Sequence, residues 1–166
     1  MRSAARGITI ALALALAACG GTGSTGGGNT TSYQGKTIQL GAILSLTGAG
    51  GVYGPSSKKG ADLAVETINT SGGVNGAKIS LDTHDDGSDK AQSAQVAQTL
   101  IQGGQLLALL GPTLSNSAVA VHPLAESFKI PILAVSTTGI NIVPNCNAPS
   151  TVPCRYVFRE DRKSVV

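Results

Sequence analysis

Tryptophan is missing from this 166-residue chain, phenylalanine occurs twice and tyrosine three times. With so few aromatics, a formal charge of only +3 and scattered Lys and Arg, no basic run is interleaved with stacking side chains. Nucleic acid is therefore not an expected partner. No apolar run is long enough to cross a bilayer core of ~30 Å as a helix. The pattern G-x-x-x-x-G-K-[ST] does not occur, which excludes a P-loop, and neither does G-x-S-x-G, the turn that exposes a nucleophilic serine. The glycine-rich stretch Thr47–Gly54 reads TGAGGVYG and does not close a G-x-G-x-x-G spacing, so a dinucleotide is not expected either. His84, Asp85 and Asp86 are consecutive and point different ways, and His122 is far away in sequence. They read as a structural turn with capping carboxylates. No metal, no cofactor and no enzymatic activity are expected, and no internal repeat is present.

What is present begins with an export signal. Arg2 and Arg6 supply a positive start, and Ile8–Ala18 is an apolar segment of eleven residues that ends in Leu16-Ala17-Ala18-Cys19-Gly20. Small residues before a Cys followed by Gly resemble a bacterial lipobox. Residues 1–18 are thus expected to be removed and Cys19 to carry lipid; an ordinary signal peptide with an incidental Cys is the alternative. Residues 19–35 are rich in Gly, Ser, Thr and Asn, cannot bury a core, and read as a tether. Cys146 and Cys154 remain as a pair. No His lies near them and export favours oxidation, so a disulfide closing a short loop is expected.

From Lys36 onward, strand and helix patterns alternate. Thr37–Leu46 reads as a strand with Ile38, Leu40, Ala42 and Leu44 on one face, and Pro55–Ile68 as a helix carrying Ala61, Ala64, Val65 and Ile68. Ala77–Thr83 is the second strand and His84–Ser88 a turn. Asp89–Gln102 is a helix, capped by Ser88 or Asp89, whose buried side is Ala91, Ala94, Ala97, Leu100 and Ile101. Leu106–Leu110 is a third strand, stopped by Gly111-Pro112. Ser115–Phe128 follows as a helix with Val119, Leu124 and Phe128 in register, kinked or broken at Pro123. Ile130–Val135 and Tyr156–Arg159 are two further strands, with a polar turn from Ser136 between them. The alternation implies an α/β fold: an open, doubly wound parallel sheet in three αβα layers, one domain over residues 36–160. Residues 161–166, DRKSVV, resemble the translation of a sequencing-library adapter, so native sequence is expected to end near Glu160.

Two hydroxyl-rich sets follow neighbouring strands. Ser115, Asn116 and Ser117 come after the third, and Ser136, Thr137 and Thr138 after the fourth. The carboxyl edge of an open α/β sheet is where ligands bind. Ser115, Asn116 and Ser117 are also N-cap types at the start of a helix, where free N–H groups carry a partial positive charge. Hydroxyls and main-chain N–H groups hold an anion without a buried countercharge, which suits reversible capture of a small zwitterion.

The ordered set GAILSLTGAGGVYG, GADLAVETIN, SGGVNGAKISL, HDDGSD, LLGPTLSNSA and IPILAVSTT, behind a lipobox and tether, resembles the leucine/isoleucine/valine-binding type of ABC-transporter substrate-binding protein, with the type I periplasmic-binding fold. The resemblance covers residues 37–160. It implies two lobes closing on a ligand, of which this sequence would be the N-terminal one. Ser115 then binds a carboxylate, Ser136 and Thr138 hold the carboxylate and amino groups, and Tyr53 meets the ligand side chain; Asn116 and Thr137 flank them. The family's acidic residue for the amino group falls where Glu160 and Asp161 stand, and that role is not carried over. The implied protein is an exported, lipid-anchored, monomeric amino-acid-binding component at the cell envelope, delivering its ligand to an ABC permease. A sensing module of the same fold that reports to a regulatory partner is the alternative.

Overall fold

A computed structural model describes residues 33–139, 142 and 155–159. The expected signal segment, Cys19, most of the tether, the pair Cys146 and Cys154, Glu160 and the tail 161–166 lie outside the described residues. The elements are β1 (Thr37–Leu44), α1 (Gly54–Thr70), β2 (Lys78–Asp85), α2 (Lys90–Gln102), β3 (Leu106–Leu110), α3 (Ser115–Phe128), β4 (Ile132–Ala134) and β5 (Val157–Arg159). A single 3-10 turn, Gly48–Gly50, lies between β1 and α1.

All strand pairings are parallel, and the order is β2-β1-β3-β4-β5. The chain steps from β1 to β2 in one direction, then crosses back over β1 to β3. Right-handed crossovers therefore send α1 to one face and α2 to the other, with α3 beside α2. In agreement, α1 packs on β1 and β2, while α2 and α3 pack against each other. This is the doubly wound αβα architecture that the alternation of patterns predicts.

The core lies on the α2/α3 face. Ile43, Leu109, Ile132 and Val157, one from each of four strands, meet Ala97 and Leu100 of α2 and Val121 and Ala125 of α3. Burial of such side chains contributes about 1.5–3 kcal/mol each for the larger ones. The alanines let α2 and α3 approach the sheet and each other closely.

Several local expectations change. Tyr33, read as tether, donates its N–H to the Asn75 carbonyl at 2.8 Å and so is tied to the folded domain. His84 and Asp85, read as turn, complete β2, because β1 continues alongside to pair with them. In α2, Ala91 is exposed and Ser93 is buried in its stead, its hydroxyl donating to the Asp86 carboxylate at 2.6 Å. In α3, Val119 and Phe128 are exposed (46% and 50%), and the inward face is Ser117, Ala118, Val121, His122 and Ala125. The buried stripe differs from the expected one because it combines Ala118, Val121 and Ala125 with the polar Ser117 and His122, which an apolar periodicity does not mark. The helix runs unbroken through Pro123, whose ring lies on the exposed side. Ile68 of α1, expected inside, is 37% exposed.

Candidate functional site

In a sheet ordered 2-1-3-4-5 the direction of winding reverses between β1 and β3, and the loops leaving their carboxyl ends diverge to open a crevice. A cavity of about 240 Å³ lies there, lined by Tyr53, Thr113, Leu114, Ser115, Ser136 and Thr138. Three loops supply it. Tyr53 comes from the loop after β1, Thr113 to Ser115 from the turn after β3, and Ser136 and Thr138 from the segment after β4. Four expected site residues, Tyr53, Ser115, Ser136 and Thr138, are thus brought together. The other two are not on this wall. Asn116 is exposed and accepts the Ser117 N–H at 2.9 Å, and the Thr137 side chain is buried (3% exposed).

The turn after β3 begins at Gly111, which has φ +104° and whose place admits no side chain: a Cβ there would overlap the main-chain carbonyl of Ile43. The chain then passes Pro112 and Thr113, both buried, and enters α3. Ser115 to Ser117 were expected to cap that helix. The N-cap is instead Leu114, which makes no side-chain cap hydrogen bond, and Ser115 is the first helical residue. An apolar N-cap leaves the N–H groups of Ser115 and Asn116 without a side-chain acceptor, while that of Ser117 goes to Asn116. With Leu114 and Ser115 in the cavity wall, the positive end of α3 opens on it.

Thr113 escaped sequence reasoning and proves to be the pin of the site. Its hydroxyl oxygen accepts the Ser45 N–H at 3.0 Å, and its carbonyl accepts the Ser136 hydroxyl at 3.2 Å. One residue thereby ties the ends of β1, β3 and β4. The only sequence signal was a small polar residue directly after Gly-Pro. Ser115 Oγ accepts the Gly139 N–H at 3.1 Å. That bond leaves the hydroxyl hydrogen of Ser115 available for donation.

The Tyr53 loop is held from the side. Asp85 at the end of β2 accepts the N–H groups of Leu46 and Thr47 and the Thr47 hydroxyl, at 2.9, 3.2 and 2.6 Å. Ser88 adds a donated bond to the Thr47 carbonyl and accepts the Gly50 N–H. Burial would raise the Asp85 carboxyl, but the Thr47 hydroxyl and the N–H groups of Gly87, Thr47 and Leu46 outweigh it and hold the carboxyl below its usual range. Asp85, at the end of β2 and not in a turn, and Asp86 engage their carboxylates with nearby N–H and hydroxyl groups, and His84 pairs with Asp82 at 3.1 Å. Among the described residues no three His, Cys, Asp or Glu side chains are grouped to hold a metal.

His122, on the inner face of α3, is fully buried, and its Nδ1 lies 2.7 Å from the Ile142 carbonyl. A carbonyl only accepts, so Nδ1 carries a proton and donates it to Ile142. Burial lowers its pKa, against the opposing pull of the Ile142 carbonyl and the Glu126 charge. A larger and more open hollow, about 330 Å³, lies between α2 and β1–β2, with Gln39, Asp82, His84 and Thr99 in its wall. None of the strand-end hydroxyls lines it.

The hydroxyls and helix N–H groups in the wall of the cavity at the β1/β3 switch suit a small anionic or zwitterionic group. All six of its lining side chains are uncharged. Among the described residues no nucleophile–base pair lines it.

Known proteins are similar to this chain in sequence and fold. The family model described as periplasmic binding protein matches residues 37–166. The Leu/Ile/Val-binding protein BraC3 of Rhizobium johnstonii is 30% identical over 143 residues, covering 78% of this chain and 39% of that protein. The leucine-, isoleucine-, valine-, threonine- and alanine-binding protein of Pseudomonas aeruginosa is 30% identical over 111 residues, 67% of this chain and 30% of that protein. The chain therefore spans well under half the length of these relatives. Among solved structures, the branched-chain amino acid transporter substrate-binding protein LivJ from Streptococcus pneumoniae, in complex with isoleucine, aligns with a TM-score of 0.67 and 29% identity, over 75% of this chain and 33% of that one. A leucine-binding protein LivK from Thermotoga maritima shares the fold, with a TM-score of 0.63 over 74% of this chain and 32% of that one, at 24% identity. With a family match over residues 37–166 and a doubly wound sheet opening a cavity at its switch point, this chain belongs to the periplasmic binding protein family.

Proposed function

We propose that this chain forms one wall of an amino-acid-binding site in an exported solute-binding lipoprotein of an ABC importer. Its ligand is a branched-chain amino acid or a similar small polar solute. The observation that carries the reading is the meeting of Ser115, Ser136, Thr138 and Tyr53 with the open N-terminus of α3 in one uncharged cavity. A carboxylate seated there would take the Ser115 hydroxyl and the first N–H groups of α3. Thr138 and Ser136 reach the same ligand from the β4 side, and Tyr53 borders its side chain; Asn116 and Thr137 support this edge from just outside. The ligands for which the relatives are named, leucine, isoleucine and valine, fit such a wall. No covalent step is involved. A second lobe closes over the ligand and the closed form is read by a permease. Lipidation at Cys19 tethers the protein to the envelope membrane, and a Cys146–Cys154 disulfide suits that compartment.

The experiment is amide NMR on the chain, titrated with L-isoleucine and, separately, with L-isoleucinamide, which lacks the carboxylate. One wall provides few contacts, so affinity on the order of millimolar is expected. Shifts at Leu114–Asn116 and residues 136–139 with the acid, and none with the amide, are the expected result. Equal responses to both ligands, or none to either, would overturn the reading.

A further inference from the structure

Arg159 ends β5, directly beside Ala134 at the end of β4. The segment that leaves Ala134 carries Ser136 and Thr138 into the cavity wall and then reaches Gly139. There the Arg159 guanidinium donates from Nη1 to the Gly139 carbonyl at 3.0 Å, while the Gly139 N–H donates to Ser115 Oγ at 3.1 Å. Gly139 is thus held at both of its polar groups. It is also held sterically, since a Cβ there would lie 2.8 Å from Ile142 and 3.2 Å from Ser115.

We infer that Arg159 is a positioning residue for the anion site, acting through Gly139 to set the direction in which the Ser115 hydroxyl donates. The inference rests on the reading that Ser115 receives a carboxylate. A serine hydroxyl rotates freely unless a neighbour fixes it. Here the Gly139 N–H occupies the oxygen as a donor, so the single hydroxyl hydrogen is turned away from Gly139. That constraint lasts only while Gly139 stays against Ser115. The Gly139–Ser115 bond is a neutral one on a loop, of a kind that contributes modestly by itself. The bond from Arg159 is charge-assisted and comes from a strand, which is the stiffer element. The guanidinium also places a positive charge one residue behind a wall whose own side chains are neutral, which favours an anion there. Nothing in the sequence points to this link, because Arg159 is a strand residue twenty positions beyond Gly139.

The test combines two readouts on the chain and its R159M and R159K variants. The first needs no ligand. Amide exchange at Gly139 is expected to quicken about tenfold or more in Arg159→Met and to return most of the way in Arg159→Lys, with exchange at Ile43 and Leu109 unchanged. Unchanged Gly139 exchange in Arg159→Met would overturn the inference. The second is a double-mutant cycle titrated with L-isoleucine. Arg159→Met is expected to weaken binding about tenfold when Ser115 is present and less than twofold in the Ser115→Ala background. Equal losses in both backgrounds would overturn it, since Arg159 would then act without Ser115. If the unsubstituted chain shows no response to L-isoleucine, the amino-acid reading fails, and the exchange readout alone decides whether Arg159 positions Gly139. A variant that fails to fold shows quickened exchange at Ile43 and Leu109 as well; Arg159→Lys then carries the same two readouts.

Discussion

The Asp85 carboxylate receives the Thr47 hydroxyl at 2.6 Å and the Thr47 N–H at 3.2 Å, although the two residues are thirty-eight positions apart. This relationship joins the loop after β1 to the end of β2 and so fixes the approach to Tyr53. It also explains how a loop with four glycines between Gly48 and Gly54 holds one conformation. Replacing Asp85 by Ala should therefore lower stability by about 1–2 kcal/mol, since several main-chain donors lose a charged acceptor but regain water. Urea unfolding measures it, and the exchange of Leu46 and Thr47 amides should quicken at the same time.

The same carboxylate makes stability fall in acid. Its folded pKa lies below the usual value of 3.8. The stabilisation is complete above the unfolded value and is lost as pH drops through the folded one. Thermal unfolding between pH 5 and pH 2 should lose part of its acid dependence in Asp85→Asn. An unchanged profile would mean that Asp85 is not linked to folding.

His122 acts in the same direction at higher pH. Burial holds its folded pKa below the ordinary 6.5, so between those two values the unfolded chain binds more protons than the folded one. Stability is then full above 6.5 and declines as pH falls through that value toward the folded pKa. The midpoint of thermal unfolding should drop from pH 7.5 to pH 5.5 in the natural chain and should drop less in His122→Gln.

Ser115→Ala removes the proposed carboxylate donor and leaves the Gly139 N–H without its acceptor. Affinity of the complete binding protein for its best amino acid should fall by ~1–3 kcal/mol, while affinity for a ligand amide should change little. Calorimetry distinguishes the two. An unaltered affinity for the acid would remove Ser115 from the site.

Gly111→Ala should be among the most damaging single substitutions on this side of the molecule. The new Cβ would run into the Ile43 carbonyl, and φ of +104° is costly for any residue with a side chain. A loss of about 3 kcal/mol or more is expected by denaturant unfolding. A milder effect would show that the turn after β3 can move.

The period of the apolar residues determined the element order, and with it the class of fold, because alternation of two-residue and 3.6-residue patterns admits few parallel topologies. Leu106–Leu110 and Ser115–Phe128 occur with the boundaries that the pattern gives. The hydroxyl clusters after β3 and β4 were legible too, since they stand at the carboxyl ends of neighbouring parallel strands. Tertiary structure decided the rest. Which face of α3 is buried was settled by its packing on α2 and the sheet, which places Ala118, Val121 and Ala125 inside and leaves Val119 and Phe128 exposed. The cap of α3 passed from a serine to Leu114, because Ser115 is bonded across space to Gly139. Thr113 and Asp85 acquired their parts from partners 68 and 38 positions away. Hydrogen bonds of that span leave no period in a sequence: they depend on where two loops meet, and only the packed sheet brings the loops together.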